Sequence, residues 1–145
     1  MTPASARQAI TERIAALVVS GYEGDAWTEA RVPLVPEYDP EPKAQLSFFV
    51  DNRQITILPT RANALEPLLV GSVWTVRFLY RLRANARISD WDGSDAARVA
   101  LWKHLLSWES ELRLSPAPDF STSRILGDWV VVETRFLVKF YSDAE

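Results

Sequence analysis

At 145 residues, 48% hydrophobic and 24% charged, the chain has the size and composition of one ordinary globular domain. A net charge of −3 supplies no basic excess for sequence-independent binding to nucleic acid or for docking on an anionic membrane. Cysteine is absent, which excludes disulfides, thiolate catalysis and cysteine-ligated metal and fits a reducing compartment. Residues 1–8 carry neither the basic stretch nor the apolar run of a secretory leader. The run Ile14 to Val19 falls far short of the ~20 apolar residues that a spanning helix needs. A soluble protein is expected.

The first element reads as a helix over residues 4–20, because Ile10, Ile14, Leu17 and Val18 recur at the helical period. Ser5 with Gln8 offers a capping box, Thr2-Pro3 an alternative start, and Gly21 a left-handed stop. Residues 27–36 read as an edge strand or extended arm, since Pro33 and Pro36 each remove a ladder donor. After a proline-containing loop over 37–43, strands 46–50 and 55–58 are expected to form a hairpin across Asp51-Asn52, which tolerates positive φ. Residues 60–72 read as a connection, an unusually apolar one because it holds Leu65, Leu68, Leu69 and Val70.

The clearest strand is 73–83, where Trp74, Val76, Phe78, Tyr80 and Leu82 alternate with Thr75, Arg77, Leu79, Arg81 and Arg83. One face belongs to the core and the other carries a row of arginines. Residues 84–93 read as a polar turn around Trp91, with Ser94 or Asp95 capping a second helix that runs to residue 113. Its stripe is Ala97, Leu101, Leu105, Trp108 and Leu112, widened by Trp102 and Leu106, and Pro116 and Pro118 stop it. Strands 120–126 and 129–141, joined at Gly127-Asp128, complete the chain, with Val130, Val132, Phe136, Val138 and Phe140 on one face. The expected fold is α+β: one domain over residues 1–145, a mainly antiparallel sheet with two helices packed on one face.

No constellation of catalytic groups emerges from this order. His104, the sole histidine, has no base partner at a suggestive spacing and reads as a partly buried ring against Trp108. The scattered glycines cannot build a phosphate loop. Asp90, Asp92 and Asp95 resemble the start of a calcium loop, but Asp95 and Leu101 stand where such a loop needs glycine and glutamate. Helix capping accounts for the acids better. No enzyme activity, cofactor or metal is expected. Arg77, Arg81 and Arg83 could present a solvated face, a subunit interface or an anion site. They would lie near Glu133 only if strands 73–83 and 129–141 pair.

Six tryptophans are many for this length. Trp74, Trp102 and Trp108 fall on core stripes, whereas Trp27, Trp91 and Trp129 fall at element edges or in loops, where aromatics often anchor interfaces. Together with Leu68 and Leu69 in the apolar connection, they suggest surface hidden against other proteins.

Four stretches carry a family resemblance: Trp27 to Pro36 after the first helix, Ile55-Thr56-Ile57-Leu58-Pro59, the long strand Val73 to Arg83, and Thr134 to Tyr141 after a helix. In this order they resemble tail terminator proteins of long-tailed, siphovirus-like phages and prophages, over nearly the whole length. The resemblance implies a structural protein of the virion, assembled in the host cytoplasm, that forms a homo-oligomeric ring, in the family commonly a hexamer. Such a ring caps the head-proximal end of the tail tube, stops tube polymerisation and provides the head-joining surface. Its implied partners are further copies of itself, the tail tube protein and a head–tail connector or stopper, with DNA passing through the ring and no membrane. Arg77, Arg81, Arg83, Leu68, Leu69 and Trp91 are the expected interface residues. Another ring-forming connector or tail-completion protein, or a small-molecule-binding α+β domain, are the alternatives.

Overall fold

The computed structural model describes residues 1–17, 27–30, 45–57 and 69–142, with the backbone alone for 52–57 and 119. Helix α1 spans Pro3–Ala15. Thr2 is its N-cap: the Thr2 hydroxyl accepts from the Ser5 N–H at 3.1 Å and the Ser5 hydroxyl accepts from the Thr2 N–H at 2.8 Å. Proline at the first helical position completes the start. The Thr2-Pro3 start is therefore the one used; Gln8 instead donates to Glu12 at 3.1 Å. Ala6, Ile10 and Ile14, four residues apart, form the buried stripe. The helix ends at Ala15, not at residue 20, and Val18 and Gly21 lie outside the described residues.

The strands are β1 (Thr28–Glu29), β2 (Ser47–Ile57), β3 (Leu69–Arg81), β4 (Arg113–Leu126) and β5 (Trp129–Tyr141). They form one sheet in the order β1-β2-β3-β5-β4, antiparallel except for β1 beside β2. Of the expected edge arm, Val32 to Pro36 lie outside the described residues. Trp27, expected at an interface, is instead in the core, edge-on to Phe78 at 4.7 Å between ring centroids.

The hairpin at Asp51-Asn52 is not formed. β2 is continuous and pairs with β3 along its length, with a register shift between Asn52 and Gln54. A bulge inserts one residue and resets the alternation, which in sequence looks like a turn. β3 likewise begins at Leu69, so Leu69 and Val70 are strand residues and the end of the connection is accounted for by pairing with Tyr141 and Phe140.

Helix α2 spans Arg87–Leu106, starting earlier and ending earlier than its composition suggests. Asp90, Trp91, Asp92 and Gly93 are helical, not a turn. Gly93 is required by packing: a Cβ there would run into the hydroxyl of buried Tyr80 on β3. Ala97, Leu101 and Leu105 point into the core, and Trp102 donates its indole N–H to Thr134 on β5 at 3.2 Å. Leu106, expected to widen that stripe, is instead exposed on the opposite face. Trp108 and Leu112 lie beyond the helix; Leu112 is buried and Trp108 half-buried.

Residues 113–119, expected outside the final hairpin, are the first half of β4. The sheet tolerates Pro116 because β4 is the last strand in the sheet order and its pairing shifts register between Pro116 and Ser121. Gly127, at φ +60°, occupies the first central position of the tight β4–β5 turn, the place that a side chain would strain.

The even-numbered residues of β3 and β5, from Val70 to Tyr80 and from Val130 to Phe140, face α1 and α2 and form the main core. The protein is thus an α+β domain with both helices on one face of a mainly antiparallel sheet. A smaller cluster centred on Leu79 and Val131 sits on the other face, flanked by Ala30, Phe49, Leu126 and Trp129.

Candidate interaction surface

The face of the sheet turned away from the helices is built from the odd-numbered residues of β3 and β5. Arg77 lies opposite Glu133 across the β3–β5 ladder, and its Nε donates to the carboxylate at 2.9 Å and Nη2 at 2.6 Å. Both side chains are mostly covered (17% and 20% exposed), so this pair is more strongly held than a surface ion pair. Arg135, two residues on, reaches the other oxygen of Glu133 at 4.0 Å and is itself exposed. Arg81, at the end of β3, is exposed, and its main-chain N–H donates to Gln45 at 2.6 Å.

Register places further charges on this face: Arg113 lies opposite Lys139, and Arg124 opposite Val131. Six cations, Arg77, Arg81, Arg113, Arg124, Arg135 and Lys139, therefore share it with Asp51 and Glu133, among the described residues. The chain as a whole is acidic, so its charge is strongly segregated. Val73 and Leu137 face each other in the same layer, half-buried, and Tyr141, exposed, lies on it at the far end of β5 opposite Leu69. A cationic sheet face with apolar residues set among the charges suits contact with an acidic protein surface.

The expected interface residues do not all gather here. Arg77 and Arg81 share this face with Leu69, which is half-buried opposite Tyr141. Arg83 lies past the strand: its N–H and guanidinium both donate to buried Asp90, at 2.7 Å from the main chain and 2.9 and 3.1 Å from the side chain. Arg83 is thus a strut between β3 and α2. Asp90 sits buried within the first turn of α2 and is not its N-cap, which is Ala86. Trp91 is on α2 and packs, half-buried, on the main core, and Leu68 lies outside the described residues. Trp129, the first residue of β5, supports the Leu79–Val131 cluster.

Sequence reasoning missed Arg113 and Arg124. Two prolines concealed the strand that carries Arg113, and only the register shows Arg124 opposite Val131. The sequence leaves the partner of Arg77 open, and the pairing of β3 with β5 supplies Glu133.

His104 is half-buried at the rim of α2. Its Nε2 lies 2.7 Å from the carbonyl of Arg13, which can only accept, while its own carbonyl accepts from the Arg13 guanidinium at 3.1 Å and 3.3 Å. The ring fastens α1 to α2, and the Arg13 guanidinium lies over Trp108 at 5.7 Å. Among the described residues, no three His, Asp or Glu side chains converge to hold a metal ion, and no helix is long and apolar enough to cross a membrane.

Helices on one side and a segregated cationic face on the other define the class: an α+β domain with a cationic outer sheet face. No protein-family model matches the chain, and no curated protein sequence matches it.

Proposed function

We propose that this chain is a tail terminator of a long-tailed phage or prophage, a ring-forming structural subunit that caps the tail tube and receives the head. The observation that carries the reading is the terminator-like order of four stretches. Three of them fall on neighbouring strands: Ile55–Ile57 at the end of β2, Val73 to Arg81 in β3 and Thr134 to Tyr141 in β5. The cationic sheet face supports it by offering one extended patch to a neighbouring copy or to an acidic tube end. A closed ring needs two different patches on each copy, and a domain with unlike faces supplies them.

The mechanism is competition at a growing end. Tube subunits add until the length-determining scaffold is used up, and a ring of these domains then covers the exposed tube better than another tube ring would. Weak contacts from each copy, multiplied around a ring, give a firm cap.

The test is electron microscopy of particles made when this gene is deleted from its phage. Tubes of excessive, irregular length beside full, tailless heads are the expected result, rescued by the parent gene but not by Arg81→Ala/Arg135→Ala. Normal tails attached to heads would refute the reading, and tails of normal length that never join would assign a connector instead.

A further inference from the structure

We propose that the exposed face of α2 is a docking surface for the same face of a second copy of this chain, in antiparallel orientation. The proposal is independent of the terminator reading. It begins with three aliphatic side chains left in solvent: Ile88 is 82% exposed, Val99 39% and Leu106 38%. On a helix of 3.6 residues per turn, positions 88, 99 and 106 fall within about 20° of one another around the axis and span about five turns, or ~27 Å. They lie opposite Ala97, Leu101 and Leu105, which pack on the sheet. Asp95, 46% exposed and paired with Arg98, lies within about 20–40° of the same line, so the outer side of α2 carries three aliphatics interrupted by one acid whose charge is already met within its own chain.

The charges beside the outer stripe indicate what covers it. Asp92 and Lys103 are both exposed, and neither makes an ion pair among the described residues. Both lie to the same flank of the apolar line, by roughly 20–60° at the helical period. A two-fold axis perpendicular to a pair of facing helices keeps each flank on its own side while reversing the direction along the helix. With the axis near residue 97, Ile88 of one copy meets Leu106 of the other. Asp92 comes within about 1.5 Å, measured along the axis, of the level of Lys103. The stripe is complementary to itself when antiparallel at its ends, with two acid–base pairs and two Ile–Leu contacts, while at its centre each Asp95, held by Arg98 of its own chain, comes level with Val99 of the other copy. A parallel pair would set the two flanks on opposite sides. One helix pair of this length is smaller than the roughly 1,200–2,000 Å² of a standard stable interface, so the self-association is weak and concentration-dependent.

Because the chain has no cysteine, single introduced thiols report the geometry cleanly. Ile88→Cys and Leu106→Cys are prepared separately, checked for an unchanged far-UV spectrum, and mixed at high concentration under mild oxidation. The expected product is a covalent dimer containing one of each variant, with little from either variant alone, since like positions lie ~27 Å apart along the axis. Sedimentation equilibrium should show Lys103→Glu weakening self-association about fivefold, because the pair occurs twice per dimer, and Asp92→Lys/Lys103→Asp restoring it. Dimers of like with like, absence of the mixed dimer, or a chain that stays monomeric at all concentrations would overturn the proposal. So would an effect of Lys103→Glu that the charge swap does not reverse.

Discussion

Removing the Asp90 carboxylate should loosen the join between β3 and α2 by about 2–3 kcal/mol. Asp90 is 2% exposed and accepts three bonds from one residue: the main-chain N–H of Arg83 at 2.7 Å and two guanidinium nitrogens at 2.9 and 3.1 Å. Truncating one partner of a fully buried pair costs about 3–5 kcal/mol, but the Arg83 side chain is 56% exposed and returns to water when its partner is lost. What Asp90→Ala forfeits is bonding to a charged acceptor, about 1.5–3 kcal/mol, and a favourable acid in the first turn of α2, worth about 0.3–1. For a domain of this size that corresponds to a fall in Tm of roughly 5–10 °C. Asp90→Asn retains an acceptor for the Arg83 N–H and should fall between the two. Arg83→Ala leaves that N–H in place but strips the buried carboxylate of its countercharge, so the double variant should be less destabilised than the sum of the singles. Urea and thermal unfolding followed by circular dichroism measure the parent and the four variants. A Tm for Asp90→Ala within 2 °C of the parent, or additive single costs, would show that the strut is not what holds the junction.

Gly93→Ala, a change that gains up to about 1 kcal/mol in an exposed helix, should here lose stability by about 1–3 kcal/mol, because the added methyl meets the buried Tyr80 hydroxyl; equilibrium unfolding in urea gives the sign. Trp108→Ala should cost only about 1–2 kcal/mol, less than the ~3–5 of a fully buried aromatic, since the indole is half-buried beyond the end of α2 under Arg13; a Tm loss as large as that of a core truncation would contradict this placement.

What could be read from the sequence follows from where the causes of structure lie. In β3 and β5 the cause is local: period-two alternation of Trp74, Val76 and Phe78, and of Val130, Val132 and Phe136, is imposed by one buried face and survives without knowing the neighbours. The start of α2 is decided elsewhere. Asp90 and Gly93 look like turn residues because their justification lies outside the helix, in the Arg83 N–H just past β3 and the Tyr80 ring on it. β2 looks like a hairpin because a bulge at 52–54 imitates a turn, and the first half of β4 was lost because prolines survive where the β4 ladder shifts register. For the surface, the arginines of β3 were legible but their company was not. Whether Arg77 meets Glu133, and whether Arg113 and Arg124 join them, depends on which strands pair, a property of no single segment. Leu106 was misplaced for a related reason: drawn too long, the helix seemed to need a wider buried stripe than α2 has.

The sheet order β1-β2-β3-β5-β4 also sets a schedule for making the protein. β5 follows β4 in sequence and is the last of the described strands, yet it occupies the place between β3 and β4. Until it emerges, β3 has a thirteen-residue edge without its ladder, and β4 has nothing to pair with. A nascent chain therefore carries an open, apolar β-edge through the synthesis of α2 and β4, the condition in which strands recruit wrong partners. α2 is already complete at that stage and can lie across the inner face of β3, with Gly93 against Tyr80, shielding the face while the edge waits. The sheet is completed only when β5 slots between β3 and β4, the two strands that it joins.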